Sequence, residues 1–124
     1  MSYFLIADDS PAKVMMLEFI VKRSKHFPNL LIAHSTDEAK KLIDGNDVAA
    51  AFIDYEMPSE NGPVVIAYLK AKNPSARIAL VTSFDSGGYE TAARAAGAEA
   101  CVCTTNEEKE VKEKLENLLI EWGE

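Results

Sequence analysis

The sequence predicts an α/β domain, a doubly wound parallel sheet of five strands with five helices in three α/β/α layers. Three observations predict it. Short apolar runs alternate with helical patterns along the whole chain. The run from Val48 to Ile53 is apolar throughout, as a strand covered on both faces should be. About half of the 124 residues are apolar, enough for a core that needs no staples. Parallel strands need right-handed crossovers, so helices are expected on both faces of the sheet.

The first strand is read at Tyr3-Phe4-Leu5-Ile6-Ala7. Asp8-Asp9-Ser10-Pro11 follows, with Ser10 suited to cap a helix and Pro11 to its first turn. That helix should run to about Lys25. Its apolar residues Val14, Met15, Met16, Leu17, Phe19, Ile20 and Val21 cover much of its circumference, which predicts deep packing. Leu30 to Ala33 is the second strand. Ser35, Thr36 and Asp37 can cap a second helix that ends near Gly45.

After the third strand, Asp54 to Pro63 reads as a turn-rich loop and Val64 to Lys72 as a helix. Ile78 to Val81 is the fourth strand, and Thr82 to Gly88 a polar loop with Gly87 and Gly88 free to move. An alanine-rich helix from Glu90 to Ala96 stops at Gly97. Ala100 to Cys103 is the fifth strand. Asn106 can cap the last helix, whose apolar stripe is Val111, Leu115, Leu118 and Trp122. Glu108/Lys112 and Glu110/Lys114 are spaced to pair on its outer face. Residues 1–124 are thus expected to form a single domain.

The formal net charge of -7 argues against non-specific binding to nucleic acid or to an anionic membrane. No apolar run approaches the roughly 20 residues that cross a bilayer. The N-terminus lacks a basic leader, so an intracellular, cytoplasmic protein is expected. Cys101 and Cys103 are read as small hydrophobes on one face of a buried strand, not as a disulfide or a metal site.

The polar residues carry the functional reading. Asp8 and Asp9 follow strand one, Asp54 follows strand three, Thr82 and Ser83 follow strand four, and Thr104 and Thr105 follow strand five. All fall at the carboxyl ends of parallel strands, where open α/β sheets bind ligands. Taken singly, each has an ordinary role as a cap, a turn residue or a strand end. Together, three carboxylates on one edge repel one another, and a hard divalent cation such as magnesium removes that cost. A carboxylate beside such a cation can accept a phosphoryl group.

These residues resemble the receiver domain of two-component response regulators. The resemblance spans essentially the whole chain. It rests on Asp8-Asp9, on Asp54-x-x-Met57-Pro58 with Gly62 following, on Thr82, and on Gly97-Ala98 before strand five. It implies a flavodoxin-like sheet of order 2-1-3-4-5, for which this family is itself a standard instance. It implies that Asp54 is the phosphoacceptor, that Asp9 binds Mg2+ directly and Asp8 largely through water, and that the backbone carbonyl of Glu56 completes the protein ligands. Thr82, with Ser83 beside it, would contact the phosphoryl group. The donor would be a histidine kinase or phosphotransfer protein, or a small acyl phosphate. The readout would be a changed protein-binding surface for a downstream partner or output domain. Such a domain is not a conventional enzyme, although family members commonly hydrolyse their own phospho-aspartate slowly.

Two positions depart from the family pattern. Thr104-Thr105 stands where a Lys-Pro pair is usual, and no other lysine is expected to substitute, since Lys109 falls on the last helix. The pocket should then be more negative, phospho-Asp54 less stabilised and the dependence on magnesium stronger. Cys101 stands where a rotating Tyr or Phe is usual, so any switch should use the Thr82 to Gly88 loop. These departures raise an alternative, a non-switching pseudo-receiver that binds a partner without phosphorylation. A small flavodoxin-like enzyme is a weaker third reading, because Asp8-Asp9 would repel a ligand phosphate after strand one. His26 and His34 are read as surface residues.

Overall fold

The computed structural model describes residues 2–84 and 87–123. Among these residues the elements alternate strictly: β1 (Ser2–Ala7), α1 (Pro11–Ser24), β2 (Leu30–Ala33), α2 (Thr36–Gly45), β3 (Asp47–Ile53), α3 (Gly62–Lys72), β4 (Arg77–Thr82), α4 (Gly87–Ala96), β5 (Ala100–Cys103) and α5 (Glu108–Trp122). The strands are all parallel and lie in the order β2-β1-β3-β4-β5. This is the predicted flavodoxin-like topology. No helix among the described residues is long and apolar enough to cross a membrane.

Strand alternation sorts the core into two layers. Leu5, Ala7, Ala51, Ile53, Ile78 and Leu80 point to the face covered by α2, α3 and α4. Phe4, Ile6, Ala50, Phe52, Ala79 and Val81 point to the face covered by α1 and α5. Both faces are sealed, which is why the central strands are apolar through Phe4–Ala7, Val48–Ile53 and Ile78–Val81. Phe4 meets Phe52 edge-on at 4.9 Å, and Trp122 closes the same cluster 5.7 Å from Phe52. Trp122 is therefore core, as a sequence reading of its stripe implies.

Several helix details differ from expectation. α1 is not packed all round: Met15 and Phe19 are 72% and 60% exposed, because the sheet and α5 cover only one side of the helix. The buried stripe of α5 is Val111, Leu115, Leu119 and Trp122, with Leu118 only half-buried. Asn106 does not cap α5; its amide bonds the Cys103 carbonyl in a turn, and the helix starts two residues later after Glu107. Of the two outer-face pairs, Glu110–Lys114 closes at 3.2 Å. Gly45 is the last residue of α2, with Asn46 at the cap.

α3 begins at Gly62 rather than Val64, and α4 at Gly87, so both glycines of the expected mobile loop lie in the first turn of a helix. Asp85 and Ser86, also in that loop, lie outside the described residues. Cys101 and Cys103 are half-buried, because β5 is an edge strand; no disulfide joins them.

Two glycines are dictated by space and backbone. Gly97 ends α4 at φ +126, in the region that favours glycine. Gly62 has no room for a side chain: a Cβ there would stand 2.1 Å from the Asp54 carbonyl oxygen. Its amide donates to the Tyr55 carbonyl at 2.6 Å, so the start of α3 is pressed against the backbone of the β3–α3 turn.

Gly62→Ala should therefore destabilise the fold by about 1–3 kcal/mol or more, read as a lower urea midpoint. On α5, Leu119→Ala should cost about 2–5 kcal/mol and Leu118→Ala clearly less. Equal costs in chemical denaturation would contradict the observed stripe.

Candidate functional site

The register of β1 and β3 sets the site. Ala7 pairs with Ile53 at the carboxyl end of the two central strands, so Asp8 and Asp54 emerge side by side. Here the strand order reverses, which opens a crevice. Backbone bonds fix both residues: the Asp8 amide donates to the Ala33 carbonyl and the Asp54 amide to the Ala7 carbonyl, each at 2.9 Å. The Asp8 Oδ1 accepts the Ser10 amide at 2.9 Å, and Ser10 Oγ in turn accepts the Lys13 amide at 3.3 Å as the N-cap of α1. Asp8 is buried, Asp9 exposed and the Asp54 side chain 13% exposed. Each of the three offers a carboxylate oxygen, and those oxygens all lie within 4.8 Å of one another. The expected convergence is thus present.

The structure also places a residue there that the sequence reading missed. The Lys13 ammonium lies 2.9 Å from Asp8 Oδ2 and 2.9 Å from Asp54 Oδ1, and donates a hydrogen bond to the latter. Its side chain is only 7% exposed. No lysine was expected to stand in for the one usual after strand five; a lysine does lie in the pocket, from α1. The physical signal was available. Lys13 sits in the first turn of α1, where a cation opposes the helix dipole and only a nearby anion would justify it. Helical side chains also lean toward the N-terminus, which here is the carboxyl edge of the sheet.

Burial raises the Asp54 pKa above the ordinary aspartate range; Lys13 opposes this, while the negative charge of Asp8 adds to it. The one ammonium leaves two negative charges in excess when all three carboxyls are ionised. Asp8 Oδ2 is buried and, although paired in charge with Lys13, has no donor aimed along a hydrogen-bond direction. A hard oxygen donor set, an oxygen with unused capacity and a double negative excess fit a divalent cation such as magnesium.

Around this centre, Thr82 is buried at the end of β4 and its Oγ1 accepts the Phe84 amide at 3.2 Å. Ser83 is exposed, with Oγ 3.4 Å from Thr104 Oγ1. The Thr104 amide extends the β5 ladder to the Thr82 carbonyl at 2.8 Å. After β5 the pocket edge is therefore faced by the neutral hydroxyl of Thr104. Cys101 packs against the core on the α4 side, without an aromatic ring to rotate.

An aromatic pair missed by the sequence reading lies beside Asp54 instead. Tyr55 stacks on Tyr89 of α4 with ring centroids 3.6 Å apart. The Tyr89 hydroxyl donates to Glu56 Oε2 at 2.6 Å, and that bond pushes its pKa up to about 12. Glu56 thus turns its side chain away toward α4. The turn itself is held by Thr36, whose amide donates to the Pro58 carbonyl at 3.3 Å and whose hydroxyl donates to the Glu60 carbonyl. His26 and His34 are exposed and take no part in the site.

With this geometry established, comparison with known proteins gives a consistent picture. No curated protein sequence matches the chain. Among solved structures, a CheY-like response regulator receiver domain protein from Methanospirillum hungatei superposes with a TM-score of 0.81 at 21% identity, over 98% of this chain and 96% of that one. TrrA from Thermotoga maritima, in complex with Mg(2+)-BeF, gives 0.76 at 24% identity over 95% and 99%. A response regulator from Burkholderia pseudomallei, with a phosphorylated aspartic acid and a calcium ion, gives 0.78 at 24% over 98% and 70%. At these identities the superpositions speak for the fold. The family itself is settled by a sequence model, that of the response regulator receiver domain, which matches residues 4–116, nearly the whole chain. The chain belongs to the response regulator receiver domain family.

Proposed function

We propose that this receiver accepts a phosphoryl group on Asp54 and reports it through a protein-binding surface. The observation that carries the reading is the meeting of Asp8, Asp9 and Asp54 at the strand edge, with oxygens within 4.8 Å. In the reaction an Asp54 carboxylate oxygen attacks phosphorus, an O–P bond forms, and the P–N bond to the donor imidazole breaks with its electron pair staying on nitrogen. Asp9 would hold a magnesium ion directly, Asp8 largely through water, and the Glu56 carbonyl would complete the set. That ion would offset charge on the transferring oxygens. Thr82, with Ser83 beside it, would receive a phosphoryl oxygen.

The donor in this reading is a phosphohistidine on a histidine kinase or phosphotransfer protein, which goes with a cytoplasmic location. The acidic charge of the chain sets it apart from nucleic acid and anionic membranes. Its own chemistry is confined to slow attack of water on the phospho-aspartate, which returns the carboxylate and inorganic phosphate. Residues 1–124 act as one receiver unit that passes its state to a partner or output domain. Since Cys101 has no ring to swing, the stacked Tyr55–Tyr89 pair is the mechanical link from the Asp54 turn to α4.

Incubation with magnesium and acetyl phosphate should add one phosphoryl mass to the intact protein. Asp54→Asn and chelation of the metal should each abolish the increment. Absence of any increment with acyl phosphates and phosphohistidine donors alike would leave a non-switching interaction module.

A further inference from the structure

Lys13 is a lysine whose side chain is nearly closed off from solvent, and it bridges two carboxylates of the pocket. We propose that Lys13 is the cation that contacts the phosphoryl group on Asp54, supplied from the first turn of α1 in place of the lysine the family carries after β5. The inference rests on Asp54 being the phosphoacceptor.

Three observations lead to it. The position after β5 is Thr104, which offers a hydroxyl and no charge. On α5, Lys109 is exposed, and Lys112 lines a groove between α1 and α5 together with Thr104; among the described residues the ion pairs to Asp8 and Asp54 come from Lys13. The Lys13 ammonium, by contrast, already stands 2.9 Å from Asp54 Oδ1, the carboxylate that would carry phosphorus. A phosphoryl dianion added there brings new oxygens within reach of a flexible four-carbon stem, and charge-assisted bonds to such oxygens are strong.

The same geometry gives Lys13 a second, opposite effect. Asp8 Oδ2 and Asp54 Oδ1, the oxygens it bridges, belong to the set a divalent cation would claim. In the unphosphorylated protein the ammonium competes with the metal. Once Asp54 carries a phosphoryl group, the ammonium has other oxygens to meet, and cation and lysine then act together.

The two effects give a signature that a purely structural ion pair would not. Lys13→Met keeps the length and removes the charge. In the unphosphorylated protein it should bind Mn2+ about tenfold more tightly or better, read by calorimetry. With magnesium present it should bind beryllofluoride, the phosphoryl mimic, about tenfold more weakly or worse, read by 19F NMR. Lys13→Gln should shift both affinities the same way and serves if the methionine variant fails to fold, which circular dichroism would show. Unchanged affinity for both probes, or weaker binding of both, overturns the assignment. Failure of the unaltered protein to bind beryllofluoride or to be phosphorylated instead overturns the reading of Asp54, and this inference with it.

Discussion

Three carboxyl groups at one edge of a parallel sheet make an arrangement that cannot stand without a counter-charge. Asp8 is buried and Asp54 nearly so, and each has its backbone held by a bond to a neighbouring strand. The burial of two like charges at close range is expensive unless a cation is bound between them. Lys13 is that cation within the chain. The cap at Ser10, the direction of α1 and the register of β1 against β3 all serve to bring the three groups together.

That constraint explains the separation of roles in the pocket. Asp8 is fixed on both sides, by its own amide and by Ser10, and so acts as a rigid wall. Asp9 is exposed and can adjust to a ligand. Asp54 has its backbone clamped by Ala7 and by the contact of Gly62 with its carbonyl, while its side chain remains 13% exposed to a donor. A nucleophile needs this combination of a fixed frame and an open face. The β3–α3 turn beyond it is not loose either, since Thr36 holds two of its carbonyls and Met57 is buried in the core.

Much of this was legible in the sequence because it depends on short-range patterns. Continuous apolar strands, capped helices and acids placed just after strands gave the sheet, its order by resemblance, and the convergence of Asp8, Asp9 and Asp54. The misses share a physical origin. Lys13 was passed over because a lysine near a helix start reads as a solvated residue unless its conflict with the dipole is noticed. The Tyr55–Tyr89 stack joins residues on different elements, and no local periodicity announces it. Leu118 and Leu119 are adjacent, so a stripe drawn by spacing alone can settle on either, and only packing against the sheet decides. The exposure of Met15 and Phe19 likewise depends on which side of α1 the rest of the fold covers.

The chain positions of the pocket's charges also bear on how it assembles. Asp8, Asp9 and Lys13 lie on a single strand-turn-helix segment, whereas Asp54 is 41 residues from Lys13. A loop that short closes at little entropic cost, and a longer one closes later. The ammonium and its first acidic partner can therefore be neighbours while β3 is still unpaired. Asp54 thus meets on that segment an ammonium as well as carboxylates, which offsets part of the repulsion that pairing of the two central strands brings.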